Sequence, residues 1–242
     1  MSRQRASDAK VARALIRPTI AVSSRRIIIV NPNSNESVTI SMDAALAPLR
    51  VRGGPKIECV TLRCGPAAIE SDEDVARAAP LVREFISGNE ASADAFVVAC
   101  FSDPGLAMAR KSTRVPVFGM AESGYLTALT RGTRFGVVSI LECSIPRHRR
   151  YIQALGLESR LAGDLPLGLG VGELFESRIV KEKLRAVGGA LTGRHGADVL
   201  VLGCAGLAGY RAHLEGVVGV PVVEPVQAAV CMAAAMVPAA NR

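Results

Sequence analysis

The chain has 242 residues, 49% of them hydrophobic, with no tryptophan and only three tyrosines. This length can bury a large core, either as one domain or as two small lobes. The formal net charge of +7 is concentrated in residues 1–26, which hold seven Lys and Arg against one Asp, so the rest of the chain carries only +1. A body this close to neutral has no excess charge for a phosphate backbone, and no nucleic-acid partner is expected.

Residues 1–25 are predicted to form a basic, disordered tail. The segment contains Arg and Ser and few acids, which also resembles a transit peptide, but it lacks the apolar stretch of a secretory signal. The remaining chain is expected to be cytoplasmic. Residues 217–240 are the most apolar segment, but Glu224, Gln227 and prolines interrupt it. A strand and a buried helix are therefore expected there, and no membrane span.

Strands and helices alternate along the chain, which predicts an α/β fold with parallel sheets. Strands are expected at residues 27–30, 56–61, 95–99, 115–118, 135–139, 199–202 and 220–223. Helices are expected at residues 36–47, 72–87, 146–155, 173–191 and 227–237, and also after Pro104 and Gly119. The one internal basic run, Arg147-His-Arg-Arg150, is interpreted as the start of a solvated helix.

Two of these strands run into a cysteine, in the related segments Asp94-Ala-Phe-Val-Val-Ala-Cys100 and Asp198-Val-Leu-Val-Leu-Gly-Cys204. Short apolar runs of this kind are typical of buried parallel strands, and ligands bind at the carboxyl ends of such strands. A Val-Pro-Val segment follows each cysteine, at residues 115–117 and 220–222. We therefore expect two similar lobes, each a parallel sheet flanked by helices, related by a pseudo-twofold axis with the active-site cleft between them.

Six cysteines and three histidines offer several candidate chemistries. None of the cysteines has zinc-type spacing, and the histidines do not cluster with them, so neither a metal site nor a disulfide framework is expected. The cysteines are Cys59, Cys64, Cys100, Cys143, Cys204 and Cys231, and the histidines are His148, His195 and His213. Cys100 and Cys204 are either ordinary buried thiols or a functional pair at matching positions of the repeat.

Two facing thiols suit inversion of a stereocentre beside a carbonyl. One thiolate takes the proton from one face and the other thiol returns a proton to the opposite face, while hydrogen-bond donors stabilise the intermediate enolate. A free thiol leaves only a few per cent thiolate at pH 7. The helix after Pro104 is expected to point its amino end towards Cys100 and to lower the pKa of that thiol.

Five motifs resemble the Asp/Glu/hydantoin racemase superfamily, which works without pyridoxal phosphate, and are most similar to its hydantoin and allantoin racemase branch. They are Val30-Asn-Pro-Asn-Ser34, Cys64-Gly-Pro-Ala-Ala-Ile-Glu70, Ala99-Cys-Phe-Ser-Asp-Pro-Gly-Leu106, Gly203-Cys-Ala-Gly-Leu207 and Val220-Pro-Val-Val-Glu224. Phe101 and Ala205 stand where the amino-acid racemases have polar residues, which favours a neutral or imide ring. Ser102 stands where the family usually has Gly, which opens a different substrate choice.

The resemblance implies a racemase without a cofactor, acting on 5-substituted hydantoins or allantoin, in a homo-oligomer. Cys100 and Cys204 would be the catalytic acid and base. The ring carbonyls would be bound by side chains and backbone amides at Asn33, Ser34, Phe101, Ser102, Ser139, Ala205 and Gly206. One lobe would comprise residues 26–120 and 222–242, and the other residues 121–221.

Three other functions are compatible with the same residues. The first is an aspartate or glutamate racemase of the same superfamily. The second is an isomerase that forms a covalent cysteine adduct, like maleate isomerase. The third is a two-lobed binding protein without catalysis, in which the cysteines only contribute to packing.

Overall fold

The structure is a computed structural model, and it describes residues 25–175 and 177–237. The predicted basic tail lies outside the described residues, apart from Arg25. The described chain contains eight strands and eight α-helices. The strands are β1 (Arg26–Asn31), β2 (Lys56–Thr61), β3 (Ala95–Val98), β4 (Val117–Gly119), β5 (Phe135–Ser139), β6 (Leu161–Pro166), β7 (Val199–Leu202) and β8 (Val222–Val223). The helices are α1 (Glu36–Ala45), α2 (Asp72–Gly88), α3 (Leu106–Ser112), α4 (Met120–Ala128), α5 (Ile145–Ala154), α6 (Ser177–Gly193), α7 (Arg211–Val218) and α8 (Pro225–Met236).

The strands form two parallel sheets with the same topology. The first has the order β2-β1-β3-β4 and the second β6-β5-β7-β8. In each sheet the two central strands are almost wholly buried, as expected for apolar runs covered by helices on both faces. The predicted α/β fold with two similar halves is confirmed.

The aspartate that opens each repeated segment has the same structural role in both sheets. Asp94 accepts a hydrogen bond from the backbone N–H of Arg26 at 2.7 Å, and Asp198 accepts one from the backbone N–H of Arg134 at 2.8 Å. In each case the carboxylate ties a cysteine-bearing strand to the start of its neighbour. The repeat in the sequence therefore marks a repeat in the hydrogen bonding.

Strand β6 is absent from the sequence-based prediction. Its sequence, Leu-Ala-Gly-Asp-Leu-Pro, has neither an apolar run nor a regular alternation, and it forms an edge of the second sheet. The predicted helix at 173–191 also differs, because a 3₁₀ turn at Val171–Phe175 precedes α6.

One hydrophobic core cluster extends across both sheets, and α4 packs against α8 between them. Helix α8 also contacts β1, β3 and β4 of the first sheet. Strand β8, however, pairs with β7 in the second sheet, so the chain returns to the first lobe only with α8. The remaining lobe boundaries stay a prediction. Among the described helices, none is long and apolar enough to cross a membrane.

Candidate active site

A narrow cavity lies where the carboxyl ends of the two sheets face each other. Residues after β1, β3, β5 and β7 line it, and its free volume of about 40 Å³ holds only a few water molecules. Cys100 and Cys204 both line this cavity. A second cavity with a free volume of about 280 Å³ adjoins it, and both are lined by Phe101, Ser102, Arg147 and His148.

Cys100 follows β3 at the first residue of a tight turn. Its carbonyl accepts a hydrogen bond from the backbone N–H of Asp103 at 2.9 Å. Asp103 has a φ of 42°, in the left-handed region, and Gly105 has a φ of 72°. Asp and Gly adopt this region more readily than most residues, which explains the local Asp-Pro-Gly sequence. The turn leaves the thiol half-buried at the cavity wall.

Cys204 follows β7 and begins the 3₁₀ helix Ala205–Tyr210. Its Sγ accepts a hydrogen bond from the backbone N–H of Gly206 at 3.4 Å. A Cβ on Gly206 would lie 2.8 Å from Leu174 Cδ1, so a larger residue there would have to displace the Leu174 side chain. The Gly206 amide is therefore placed to stabilise a thiolate at Cys204.

Burial dominates the acidity of both thiols. It raises the pKa of Cys100 to about 11, against a smaller lowering by the backbone and hydroxyl of Ser102 and by the charge of Arg147. Burial, with smaller contributions from the charges of Cys100 and Glu70, raises the pKa of Cys204 to about 12, against a lowering by the backbone N–H of Gly206. The expected lowering of the Cys100 pKa by the following helix was wrong, because desolvation outweighs it and α3 begins only at Leu106.

Most of the predicted binding residues lie at the cavity, but two do not. The cavity is lined by Asn33, Phe101, Ser102 and Ala205, and Gly206 contacts Cys204 directly. Ser34 is not a lining residue, and its backbone N–H donates to the Pro66 carbonyl at 2.9 Å. Ser139 is fully buried behind the cavity wall, where its hydroxyl donates to Asp164.

The side-chain amide of Asn33 makes hydrogen bonds through its oxygen. Its Oδ1 accepts hydrogen bonds from Asn31 Nδ2 at 3.1 Å and from the backbone N–H of Asn35 at 2.9 Å. Its Nδ2 donates to none of the described residues. The Asn-Pro-Asn-Ser-Asn turn therefore presents a fixed N–H donor group at the cavity.

Arg147 is a cavity residue that the sequence analysis missed. Its Nε donates to Ser102 Oγ at 2.9 Å and its Nη1 to Asp72 at 2.6 Å, and only 12% of its side chain is exposed. The interpretation of residues 147–150 as a solvated face was wrong for Arg147 and for the buried His148. The signal was helical spacing, since Arg147, His148 and Tyr151 share one face of α5.

Glu70 connects two loops across the cavity. Its Oε1 accepts a hydrogen bond from the backbone N–H of Val171 at 2.8 Å, and its carbonyl accepts one from Cys143 Sγ at 3.5 Å. It belongs to a motif noted in the sequence, but nothing there indicated this contact. The carboxylate adds negative charge beside Cys204.

His148 is a buried residue that lines the same cavity as the two thiols. Its Nδ1 lies 2.9 Å from Asp164 Oδ2 and 3.1 Å from Ser139 Oγ. Phe101 packs edge-on against its ring at 5.2 Å between centroids. Asp164 belongs to the unpredicted strand β6, so this arrangement could not be seen in the sequence.

Comparisons with known proteins agree with this architecture. The family model described as Asp/Glu/Hydantoin racemase matches residues 27–233. A hydantoin racemase of Paenarthrobacter aurescens is 36% identical over 219 residues, covering 88% of this chain and 91% of that protein. An allantoin racemase from Klebsiella pneumoniae has a TM-score of 0.83 at 34% identity, covering 88% of both chains. One from Pseudomonas fluorescens has a TM-score of 0.81 at 28% identity, covering 88% of this chain and 90% of that one.

Proposed function

We propose, from the premise that this chain belongs to the Asp/Glu/hydantoin racemase family, that it racemises a 5-substituted hydantoin or allantoin. The observation that carries the proposal is the presence of Cys100 and Cys204 on one cavity, each at the end of the equivalent strand of its own sheet. Two equivalent groups are what a reversible inversion requires, because each enantiomer uses one as base and the other as acid.

The proposed reaction transfers two protons and changes no oxidation state. A thiolate at one cysteine removes the proton from carbon 5, which leaves a neutral thiol and an enolate. The thiol of the other cysteine then protonates the opposite face of that carbon and becomes the thiolate. The next turnover therefore starts from the other cysteine, unless proton exchange with solvent first restores the original thiol and thiolate. No cofactor takes part in these steps.

Hydrogen-bond donors at the cavity support the enolate step. Asn33 Nδ2 is uncommitted, whereas Ser102 Oγ accepts from Arg147 and its hydroxyl also lies beside the thiol of Cys100. Both groups are fixed by neighbours before substrate binds, which is the condition for strong stabilisation of developing charge. The backbone amides around Phe101 and Ala205 are further candidates for the ring carbonyls. Ser34 and Ser139 have less support, because neither lines the cavity.

A neutral ring fits the cavity better than a dicarboxylic amino acid does. Arg147 is the one cationic side chain among the lining residues, and it is already paired with Asp72 and bonded to Ser102. Glu70 brings a negative charge to the same wall. A free substrate carboxylate would be repelled by Glu70, and Arg147, the positive group that could bind it, is already paired with Asp72.

The cellular setting and assembly are further parts of the proposal. The six described cysteines are all free thiols, which supports a reducing compartment such as the cytoplasm. The homo-oligomer is carried over from the resemblance to the racemase family. Light scattering after gel filtration measures the assembly directly.

Incubation in D2O with single enantiomers tests the reaction and the substrate class. The panel contains several 5-substituted hydantoins, allantoin, aspartate and glutamate. We expect loss of optical rotation and one deuterium at the stereocentre for a hydantoin or allantoin, above the rate without enzyme. Turnover of aspartate or glutamate alone would instead indicate an amino-acid racemase. Binding without deuterium uptake would indicate a non-catalytic binding protein. A cysteine adduct seen by mass spectrometry would favour the maleate isomerase type.

A further inference from the structure

In the imidazole of His148, Nδ1 has hydrogen-bond partners and Nε2 has none among the described residues. Nδ1 lies within hydrogen-bond distance of Asp164 and Ser139, and the residue as a whole is 3% exposed. Among the described residues, Nε2 has no hydrogen-bond partner. Two side-chain polar atoms of the described residues are fully buried and have no hydrogen-bond partner, namely Tyr125 Oη and His213 Nε2. His148 Nε2 is not one of them, and His148 lines both cavities.

The neighbours of Nδ1 determine the tautomer. Ser139 donates its single hydroxyl proton to Asp164 Oδ1, so its oxygen can only accept from the ring. Asp164 Oδ2 is a carboxylate oxygen and also accepts. Since both partners of Nδ1 are acceptors, Nδ1 carries the proton. In the neutral ring, Nε2 therefore presents a lone pair.

A histidine with a purely structural role would not need this arrangement. Burying Asp164, Ser139 and an imidazole costs free energy that an apolar side chain of similar shape would avoid. A structural histidine also normally has both ring nitrogens paired. Here the buried carboxylate orients the ring, and His148 lines the same cavity as Cys100, Phe101 and Cys204.

We propose that His148 accepts a hydrogen bond from a ring N–H of the substrate and so restricts the enzyme to cyclic ureides and imides that are unsubstituted at that nitrogen. This inference rests on the proposed racemase function and adds a specificity residue to it. Hydantoin rings alternate carbonyls with N–H groups. Asn33 offers a donor for a carbonyl, and His148 offers the acceptor that a neighbouring N–H needs. Asp164 and Ser139 act as positioning residues.

Ring-methylated substrates test the proposal. Racemisation of a 5-substituted hydantoin is compared with that of its N1-methyl and N3-methyl derivatives, for the wild type and for the variants His148→Phe, His148→Gln and Arg149→Gln. In the wild type we expect methylation of one nitrogen to lower kcat/KM by roughly ten- to a hundredfold, since it leaves a polar group of the site unpaired.

The variants separate the lost hydrogen bond from simple crowding. His148→Phe keeps a ring of similar size but has no acceptor. Its activity on the unmethylated substrate should therefore fall, and the ratio of kcat/KM between unmethylated and methylated substrates should approach one. His148→Gln restores an amide oxygen near the position of Nε2 and part of the discrimination. Arg149, exposed on the same helix, is the matched control, and its replacement should change neither rate nor discrimination.

Nitrogen NMR of the imidazole tests the same contact without turnover. Unsubstituted hydantoin, which has no stereocentre, is added to ¹⁵N-histidine-labelled protein, with His148→Gln used to assign the signal. We expect an unprotonated Nε2 whose resonance moves when hydantoin binds. The inference fails if Nε2 is the protonated nitrogen, if methylation carries no penalty, or if His148→Phe keeps the full penalty. These results leave the proposed racemisation standing, whereas failure of the wild type to racemise any hydantoin or allantoin overturns both.

Discussion

Arg147 Nε lies 2.9 Å from Ser102 Oγ, two residues after the thiol of Cys100. This bond places a mostly buried guanidinium beside the first of the two cavity cysteines, although Arg147 is 45 residues away from Ser102 in the chain. The charge of Arg147 lowers the pKa of Cys100, while burial raises it to about 11. Arg147 is therefore a positioning residue that also favours the thiolate.

Removing this charge is expected to slow the reaction and to move its pH dependence. In Arg147→Gln, the pKa of Cys100 rises further, and each unit of increase leaves about tenfold less thiolate below the pKa. We expect kcat/KM at pH 8 to fall roughly tenfold or more and its rise with pH to shift to higher pH. Arg147→Lys keeps a charge and should recover part of the loss, and Arg149→Gln is the control. Equal loss in Gln and Lys variants with an unchanged pH profile would contradict this role.

The raised thiol pKa values predict the order of chemical modification. Cys64 and Cys143 are exposed, whereas burial raises the pKa of Cys100 to about 11 and that of Cys204 to about 12. Iodoacetamide reacts with the thiolate, so at pH 7 we expect Cys64 and Cys143 to be alkylated first. The rates at Cys100 and Cys204 should rise with every pH unit up to pH 10. Peptide mapping by mass spectrometry measures each site, and fast alkylation of Cys100 at pH 7 would refute the raised value.

Asp103 connects protonation to stability. It accepts hydrogen bonds from the backbone N–H groups of Ala121 and Glu122 and from Tyr151 Oη at 2.9–3.0 Å, yet burial raises its pKa to about 7. The folded state therefore binds this proton more tightly than the unfolded chain. The resulting stabilisation is complete below pH 4 and is lost as the pH rises to about 7.

The free energy of unfolding should accordingly fall between pH 5 and pH 7, by about 2 kcal/mol from Asp103 alone. Asp103→Asn keeps the left-handed backbone conformation and removes the titration, so its slope should be smaller. The part that remains belongs to Glu224, whose pKa burial also raises to about 7. Urea unfolding at several pH values measures both slopes. Identical slopes in the wild type and in Asp103→Asn would show that this carboxyl does not titrate in the window.

Gly119 gives Asp103 the space to reach the start of α4. A Cβ there would lie 2.2 Å from Asp103 Oδ2 and 2.6 Å from Leu106 Cδ2. We expect Gly119→Ala to destabilise the protein by roughly 1–3 kcal/mol. Gly189 lies inside α6 with nothing within 4 Å of such a Cβ, so Gly189→Ala should instead stabilise by roughly 0.5–1 kcal/mol. Thermal unfolding compares the two, and a neutral Gly119→Ala would contradict the close approach.

The sequence predicts the features of this molecule that are local. The apolar strands before Cys100 and Cys204, and the turns after them, can be recognised from short segments, because burial on both faces and left-handed backbone positions restrict the residue types. The same reasoning finds Asn33, whose turn is dense in Asn, Pro and Ser.

The features that the sequence does not predict depend on contacts between distant segments. Arg147 looks like a solvated residue until Ser102 and Asp72 are brought next to it. Ser139 looks like a residue at a strand end near the ligand, but Asp164 draws its hydroxyl to the buried side. Asp164 itself lies in an edge strand without an apolar pattern. Burial of the whole cleft reverses the expected effect on the Cys100 pKa, since desolvation depends on the surroundings in three dimensions.

The most direct test of the two-cysteine reaction follows solvent deuterium in Cys100→Ser and Cys204→Ser, each incubated in D2O with either enantiomer of a 5-substituted hydantoin. Each variant keeps one thiol, which faces only one side of the stereocentre. We expect racemisation to fall at least about a hundredfold in both. Each variant should still exchange the proton of one enantiomer, and the two should act on opposite enantiomers. Racemisation at a near wild-type rate in either variant, or exchange of the same enantiomer by both, would contradict the account.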